Sequence, residues 1–192
     1  YATRFTARVE QTSGNRVVLD RTAFYPTSGG QPHDLGTLGG ARVVEVIDGE
    51  EAIVHVVEGV LATGAEVECT VDWARRFDHM QQHSGQHLLS AALDALFGIR
   101  TMSFHMGQES STIDVEAAAM SPEQLTALET RANELIQENR PLSVTYEAAD
   151  AAEGLRKASE RGGTLRIVTI ADLDRSACGG THVRHTGEIG PL

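Results

Sequence analysis

The chain has 192 residues, of which 41% are hydrophobic and 22% charged, a balance typical of a folded protein and not of a disordered one. Its formal net charge of −11 argues against broad, non-specific binding of nucleic acid, which needs a basic surface. No apolar run approaches the roughly 20 residues of a membrane-spanning helix, and two cysteines are too few for a disulfide framework, so we expect a cytoplasmic chain with no membrane partner.

The first 72 residues are predicted to be all-β. The runs FTARVEQ and RVVLD are joined by the turn-rich TSGN, and ARVVEVIDGEEAIVHVV alternates around Asp48-Gly49, a strong hairpin signal. EVECTVDW predicts a last strand, and TSGGQPHDLGTLGG reads as a glycine-rich loop. This spacing of strands predicts a small barrel or a curled sheet, and we expect residues 1–73 to form a small β-barrel domain.

Helical signals begin after Trp73. We predict a helix from Asp78 to Phe97 that stops at Gly98, and two short strands about a turn in SFHMGQESSTIDVE. A second helix begins in SPEQ, where a capping box stands beside a proline at the first helical position.

The remaining sequence alternates between strands and helix without close βαβ repeats. SVTYE and LRIVTI predict strands, AAEGLRKASERGG a shorter helix between them, and ADLDRSACGGTHVRHTGEIGPL a terminal loop. Residues 74–192 are therefore predicted to form a mixed α+β domain, which makes the whole chain α+β. We interpret the ending at TGEIGPL as that of a fragment of a longer protein, and the sequence leaves the oligomeric state open.

Two pairs of side chains have the spacing of metal ligands. His83 and His87 lie one helical turn apart and leave the same face, and CGGTH supplies Cys178 and His182. A histidine pair alone is often an accident of a solvated face, and a lone cysteine is more often a small buried residue. Together they predict one zinc site, because zinc favours four nitrogen or sulfur ligands whereas magnesium and calcium prefer oxygen.

The helix motif differs from that of the metalloproteases. Their sequence is His-Glu-x-x-His, with the glutamate as general base, whereas Ser84 follows the first histidine here. That mechanism is therefore not supported. The other histidines are predicted to lie on the surface or behind the ligands, and they are His33, His55, His79, His105 and His185.

The motifs taken together resemble a known family. HSGQH, followed by CGGTHV and TGEIG, resembles the editing domain of alanyl-tRNA synthetases, and more closely the free-standing alanyl-tRNA editing proteins of the AlaX family. FYPTSGGQPHDLG, RRFDHMQQHSGQHLLSAAL and SFHMG with STID extend the resemblance over nearly the whole chain. The editing domains of threonyl-tRNA synthetases share the metal pattern, but the glycine-rich loop and CGGTH favour the alanyl side.

This resemblance implies an enzyme that hydrolyses misacylated alanine-specific tRNA, chiefly with serine and sometimes with glycine attached. It implies zinc in the cleft between the β-barrel domain and the α+β domain, and tRNA as the partner. By motif position, the implied ligands are His83, His87, Cys178 and His182.

The implied substrate predicts a polar pocket, because a site that hydrogen-bonds the serine hydroxyl rejects alanine far better than a site that merely has room for it. We predict that Thr22 is the residue that recognises the serine hydroxyl. The catalytic candidates are Thr22 and Gln31, the substrate-binding candidates are Ser28, Gly29, Gly30 and Thr112, and Thr27 and Ser111 are further polar candidates. The two glycines are equally well explained by a plain turn.

Two mechanistic alternatives remain for the metal. Zinc lowers the pKa of a bound water to about 7 and supplies hydroxide, or it orients the substrate while another water attacks. Four protein ligands leave no open position, which favours orientation. Candidate tRNA contacts, each of which is otherwise a solvated charge, are Arg75, Arg76, Arg156, Lys157, Arg161, Arg166, Arg175 and Arg184.

Two other functions compete with editing. One is a zinc-dependent hydrolase of a different activated acyl ester, and the other is a non-catalytic zinc module that binds RNA.

Overall fold

The computed structural model describes residues 1–107, 110–159 and 162–192. The chain divides into two compact units, Tyr1–Asp78 and His79–Leu192. The predicted α+β class is confirmed, with a closed six-stranded barrel in the first unit and two small sheets in the second. The predicted domain limits, 1–73 and 74–192, remain a proposal. Among the described residues, no helix is long and apolar enough to cross a lipid bilayer.

The barrel is antiparallel throughout and follows the order β1-β2-β5-β4-β3-β6, with β6 paired back to β1. Alternating apolar positions point inward, as the sequence pattern predicts, and valines such as Val9, Val17 and Val43 have no exposed surface. Its strands are β1 Arg4–Ser13, β2 Arg16–Leu19, β3 Gly36–Leu38, β4 Ala41–Asp48, β5 Ile53–Glu58 and β6 Glu66–Val71.

One barrel strand lies inside the segment predicted as a glycine-rich loop. β3 is only three residues long, and it pairs with β4 on one side and β6 on the other, which closes the barrel. A Cβ atom at Gly36 would stand 2.0 Å from the carbonyl oxygen of Thr70, so only glycine fits this close approach.

The segment between β2 and β3 is held by a tight turn and a buried ion pair. Gly29 and Gly30 have φ values of +56° and +81°, and hydrogen bonds of 3.1 and 2.9 Å link Ser28 to Gln31 across them. This is the geometry of a two-residue hairpin, which glycine favours. Further along, the carboxylate of Asp34 has no exposed surface and pairs with the guanidinium of Arg76.

The second unit contains most of α1, a hairpin, α2 and a three-stranded sheet in the order β11-β10-β9. Its elements are α1 Trp73–Phe97, β7 Thr101–Met106, β8 Ser111–Val115, α2 Pro122–Gln137, β9 Leu142–Ala148, β10 Thr164–Ile170, β11 Asp174–Ala177 and a short 3-10 helix Thr186–Glu188. The capping box of α2 forms as predicted, with Ser121 and Gln124 bonded reciprocally.

The structure corrects three further predicted elements. α1 begins at Trp73 and not at Asp78, because the side chain of Asp72 accepts the backbone N–H of Arg75 at 3.3 Å and caps the helix. The predicted helix over 151–163 is wrong for the part of it that the structure describes, which is irregular. The tail is not all loop, since it contains β11 and the 3-10 helix.

Candidate metal centre

Four side chains of the second unit converge on one point. One ligand atom from each of His83, His87, Cys178 and His182 lies within 4.8 Å of the others. The sulfur of Cys178 is 3.4 Å from Nε2 of His83 and 3.4 Å from Nε2 of His182. The two histidine rings of α1 have centroids 5.4 Å apart, so both face the same side of the helix, as their spacing predicts.

Backbone hydrogen bonds fix the loop that carries Cys178. This residue follows β11, and its N–H donates to the carbonyl of Arg166 at 3.0 Å, while the guanidinium of Arg166 donates to the carbonyl of Cys178 at 2.7 Å. The N–H of Gly180 donates to the Cys178 sulfur at 3.3 Å. The loop therefore turns one of its own backbone N–H groups toward the sulfur of Cys178.

The electrostatics of the cluster favour a thiolate beside a neutral imidazole. Burial alone would raise the pKa of the Cys178 thiol, but hydrogen bonds with His182, His83 and His87 outweigh it and lower this pKa to about 2. Burial lowers the pKa of His182 to about 3. A thiolate and a neutral imidazole are the protonation states that a metal ligand requires.

A second layer of polar groups stands behind two of the imidazoles. Asp174 lies 3.0 Å from Nδ1 of His87, and Ser84 lies 3.1 Å from Nδ1 of His182. Burial opposes a charge on His87, yet its hydrogen bonds to Asp174 and Cys178 raise its pKa above the ordinary value. The pKa of Asp174 is lowered, because hydrogen bonding with His87 and the charge of Arg156 outweigh the cost of burial.

This donor set fits a soft or borderline metal ion. Three imidazoles and one thiolate are available within one coordination sphere, two of the four residues are buried, and no carboxylate belongs to the set. Magnesium and calcium prefer oxygen ligands, whereas this combination is typical of zinc. The cluster can therefore hold a metal ion, with Cys178 supplying the negative charge.

The predicted residue Thr22 lies in the first unit, where hydrogen bonds link it through His55 to the backbone of Val17. Nδ1 of His55 is 3.2 Å from the carbonyl of Val17, which accepts its proton. Nε2 of His55 is then the acceptor, and the Thr22 hydroxyl at 2.8 Å donates to it. The hydroxyl oxygen also accepts the N–H of Phe24 at 3.0 Å. One lone pair of Thr22 remains for another donor.

The other predicted pocket residues have different surroundings. Ser28, Gly29, Gly30 and Gln31 form the two-residue hairpin of the first unit, where Gln31 has no exposed surface. Thr112 lies in β8 of the second unit, paired with His105, and is exposed. Thr27 donates to or accepts from Nδ1 of His33 at 3.0 Å, and Ser111 lines a cavity beside α1.

Most of the arginines predicted to contact tRNA bind partners within the chain. Arg75 donates to the carbonyl of His33, and Arg76 pairs with Asp34. In the second unit Arg156 pairs with Asp174, Arg175 with Glu147, and Arg166 with the carbonyl of Cys178. Arg161 lies outside the residues that the structure describes.

The sequence patterns did not single out Asp174 or Ser84 as parts of the centre. Ser84 stands between the two histidines of HSGQH, and Asp174 opens the strand that leads to CGGTH. Their proximity to the ligand motifs is the only signal that the sequence offers. The buried residue His55 was predicted at the surface or behind the metal ligands, and the structure places it inside the barrel unit instead.

Family models match both ends of the chain. Residues 1–75 match a model described as class II (A) tRNA synthetases, and residues 165–192 match one described as the threonyl and alanyl tRNA synthetase second additional domain. The barrel and the loop that carries Cys178 and His182 are therefore similar to segments of these synthetases, which defines the class of protein.

Relatives of two kinds match nearly the whole chain. The alanyl-tRNA editing protein Aarsd1 of Danio rerio is 40% identical over 187 residues, which are 95% of this chain and 45% of that protein. Aarsd1 of Mus musculus is 39% identical over 185 residues, 94% of this chain and 45% of that protein. The alanine–tRNA ligase of Pyrococcus abyssi is 37% identical over 210 residues, 98% of this chain and 22% of the ligase.

The resemblance to alanyl-tRNA editing proteins that the motifs predicted is therefore confirmed over nearly the whole chain. The chain spans about half the length of the editing proteins that it matches, with 45% of the zebrafish protein covered.

Proposed function

We propose that this chain is a zinc-dependent hydrolase that removes the wrong amino acid, serine or glycine, from misacylated alanine-specific tRNA in the cytoplasm. The observation that carries the proposal is the cluster of three histidines and one cysteine in a chain that is 40% identical to a protein named for alanyl-tRNA editing. The reaction is attack of water on the ester that joins the amino acid to the terminal ribose.

The side chains of the cluster supply binding and charge. His83, His87, Cys178 and His182 would hold the zinc ion, and Cys178 would bring the charge that neutralises part of it. When bound, zinc supplies a positive centre that orients or polarises the ester. Four protein ligands complete a tetrahedral set, which favours the orienting role over the supply of hydroxide.

Metal content and deacylation test this proposal together. We expect the purified chain to bind one zinc ion and to release serine from seryl-tRNA, and we expect Cys178→Ala to lose both properties. The matched control is Cys69→Ala, since Cys69 is buried in the barrel core and belongs to no ligand set. Deacylation that survives in Cys178→Ala without zinc would show that the site assignment is wrong.

Discrimination between amino acids is the second part of the proposal. We propose that the remaining lone pair of Thr22 accepts the hydroxyl proton of serine, and that Gln31, Ser28, Gly29, Gly30 and Thr112 contribute to substrate binding and hydrolysis. Thr22→Val should lower deacylation of seryl-tRNA by about 10-fold or more and glycyl-tRNA much less, because glycine has no hydroxyl to lose. Thr22→Ser keeps the hydroxyl and is the control. Equal losses on both substrates would remove Thr22 from this role.

The complete ligand set also favours a second candidate, a structural zinc module that binds RNA without hydrolysis. Zinc binding without deacylation of seryl-tRNA would select it. Equal rates on seryl-tRNA and on a simple seryl ester would instead select a hydrolase of other activated acyl esters.

A further inference from the structure

We propose that Asp174 and Ser84 are positioning residues of the metal centre, which hold the rings of His87 and His182 so that their Nε2 atoms face the ion. This inference rests on the proposed zinc site and adds to it two residues that bind no metal themselves. It also assigns Arg156 the role of anchoring Asp174, in place of the tRNA contact that the sequence suggested.

Asp174 is fixed more firmly than a carboxylate at the surface. Its side chain has no exposed surface. Oδ1 accepts from Nε of Arg156 at 2.7 Å, and Oδ2 accepts from the hydroxyl of Ser176 at 2.9 Å and from Nδ1 of His87 at 3.0 Å. Arg156 also donates to Ser176 at 3.1 Å, which closes a ring of hydrogen bonds around the carboxylate. Asp174 therefore cannot swing away from His87 without breaking several charge-assisted bonds.

The bond from His87 decides which of its nitrogens is available. A carboxylate accepts hydrogen bonds and does not donate them, so the proton of a neutral His87 ring resides on Nδ1. The lone pair is then on Nε2, the nitrogen left to face Cys178 and the other ligands. A carboxylate behind a ligating histidine fixes its orientation and increases its basicity, which strengthens metal binding.

Ser84 performs the same task for His182 with a neutral group. Its hydroxyl oxygen accepts the N–H of Val183 at 3.1 Å and lies 3.1 Å from Nδ1 of His182. Nε2 of His182 is the nitrogen that approaches the sulfur of Cys178. With Nε2 on the ion, Nδ1 carries the proton and donates it to the second lone pair of Ser84. A hydroxyl is a weaker acceptor than a carboxylate, so Ser84 should contribute less than Asp174.

The position of Ser84 explains a feature of the helix motif. Metalloproteases have a glutamate at this point, which acts as a base. Ser84 is fully buried and is hydrogen-bonded to the loop that carries His182, so it joins the helix and the loop that supply the ligands. Ser84 therefore serves the geometry of the metal site and not as a base. The carboxylate that stands behind a ligand, Asp174, comes from β11.

Zinc affinity measured by competition with a chromophoric chelator tests the inference without any assay of activity. We expect Asp174→Asn to weaken zinc binding by about 10- to 100-fold and Ser84→Ala by less than about 10-fold. The matched control is Glu147→Gln, because Glu147 also pairs with an arginine of this sheet, Arg175, but contacts no member of the cluster. It should bind zinc as the wild-type chain does.

Cobalt(II) substitution supplies a readout that a merely destabilised fold would not change. The wild-type chain should give the intense visible bands and the sulfur charge-transfer band of a tetrahedral site, and Asp174→Asn should shift or weaken them although Cys178 is intact. If Asp174→Asn does not fold, as judged by circular dichroism of the metal-free chain, Arg156→Lys replaces it. Lysine lacks the planar guanidinium fork with which Arg156 spans Asp174 and Ser176, and we expect about 3-fold weaker zinc binding.

The outcomes separate this inference from the proposed function. A wild-type chain that binds no zinc would overturn both. Tight zinc binding by the wild-type chain and equal affinity in Asp174→Asn, or in Arg156→Lys where that variant is used, would overturn the positioning role alone. A larger loss in Ser84→Ala than in Asp174→Asn would overturn the assignment of the stronger role to the carboxylate.

Discussion

A single buried carboxylate fixes the segment that follows β2. Asp34 accepts from Nε of Arg76 at 2.9 Å and from the backbone N–H of Tyr25 at 2.6 Å, and Arg76 also donates to the carbonyl of Ala23 at 2.6 Å. Removing one partner of a buried pair leaves the other charge without compensation, which costs about 3–5 kcal/mol. We therefore expect Asp34→Ala to lower the free energy of unfolding by about that amount, measured by urea denaturation.

The control for this prediction is a solvent-exposed ion pair on the barrel. Arg42 and Glu58 pair across β4 and β5 with more than half of each side chain exposed, at 66% and 56%. Solvent and side-chain freedom weaken such pairs. Glu58→Gln should leave the unfolding curve nearly unchanged, and a loss as large as that of Asp34→Ala would show that burial does not control the strength of these pairs.

At the scale of elements, barrel closure depends on the shortest strand. β3 bridges β4 and β6, and it fits only because Gly36 lets the chain approach Thr70. Gly36→Ala should destabilise the chain by at least about 2 kcal/mol, because the new Cβ forces β3 away from β6. Gly40→Ala adds a Cβ into open space at a φ of +86° and should cost about 1 kcal/mol from backbone strain alone. Thermal and urea unfolding of the two variants measure the difference, and equal losses would contradict a steric cause.

Sequence pattern predicted the long elements and missed those that depend on their neighbours. The alternation in β1, β4 and β5 is long enough to be read, and the capping box marks the start of α2. β3 and β11 have three and four residues, too few for any periodicity, and each exists because a longer strand lies beside it. The region around Arg156 has the composition of a helix, yet its arginine pairs with Asp174 of β11, and this tertiary contact is absent from local propensity.

At the scale of the whole molecule, the four candidate ligands could be predicted because they occur as two closely spaced pairs. Pairs at fixed spacing share a helix face or a tight loop, and local geometry then brings both side chains to one point. The groups behind them could not be predicted in this way. Asp174 reaches His87 only through the pairing of β11 with β10, and a contact between residues 87 positions apart has no local signature.

The charge of the whole chain predicts how the proposed tRNA partner is bound. The net charge is −11, and the arginines Arg76, Arg156 and Arg175 are already paired with carboxylates. An acidic chain repels the phosphates overall, and each phosphate that a cation does neutralise steepens the salt dependence by about 0.7 to 0.9. We expect weak binding whose affinity falls with salt at a logarithmic slope shallower than about −3, as measured by fluorescence anisotropy of labelled tRNA.

Two variants test this prediction. Lys157→Ala, at an exposed position, should flatten the slope by up to about one unit, and Arg175→Ala should leave it unchanged because Arg175 is engaged with Glu147. A slope much steeper than −3 would mean that the chain presents a basic surface to tRNA despite its acidic composition, and would return the paired arginines to the list of contacts.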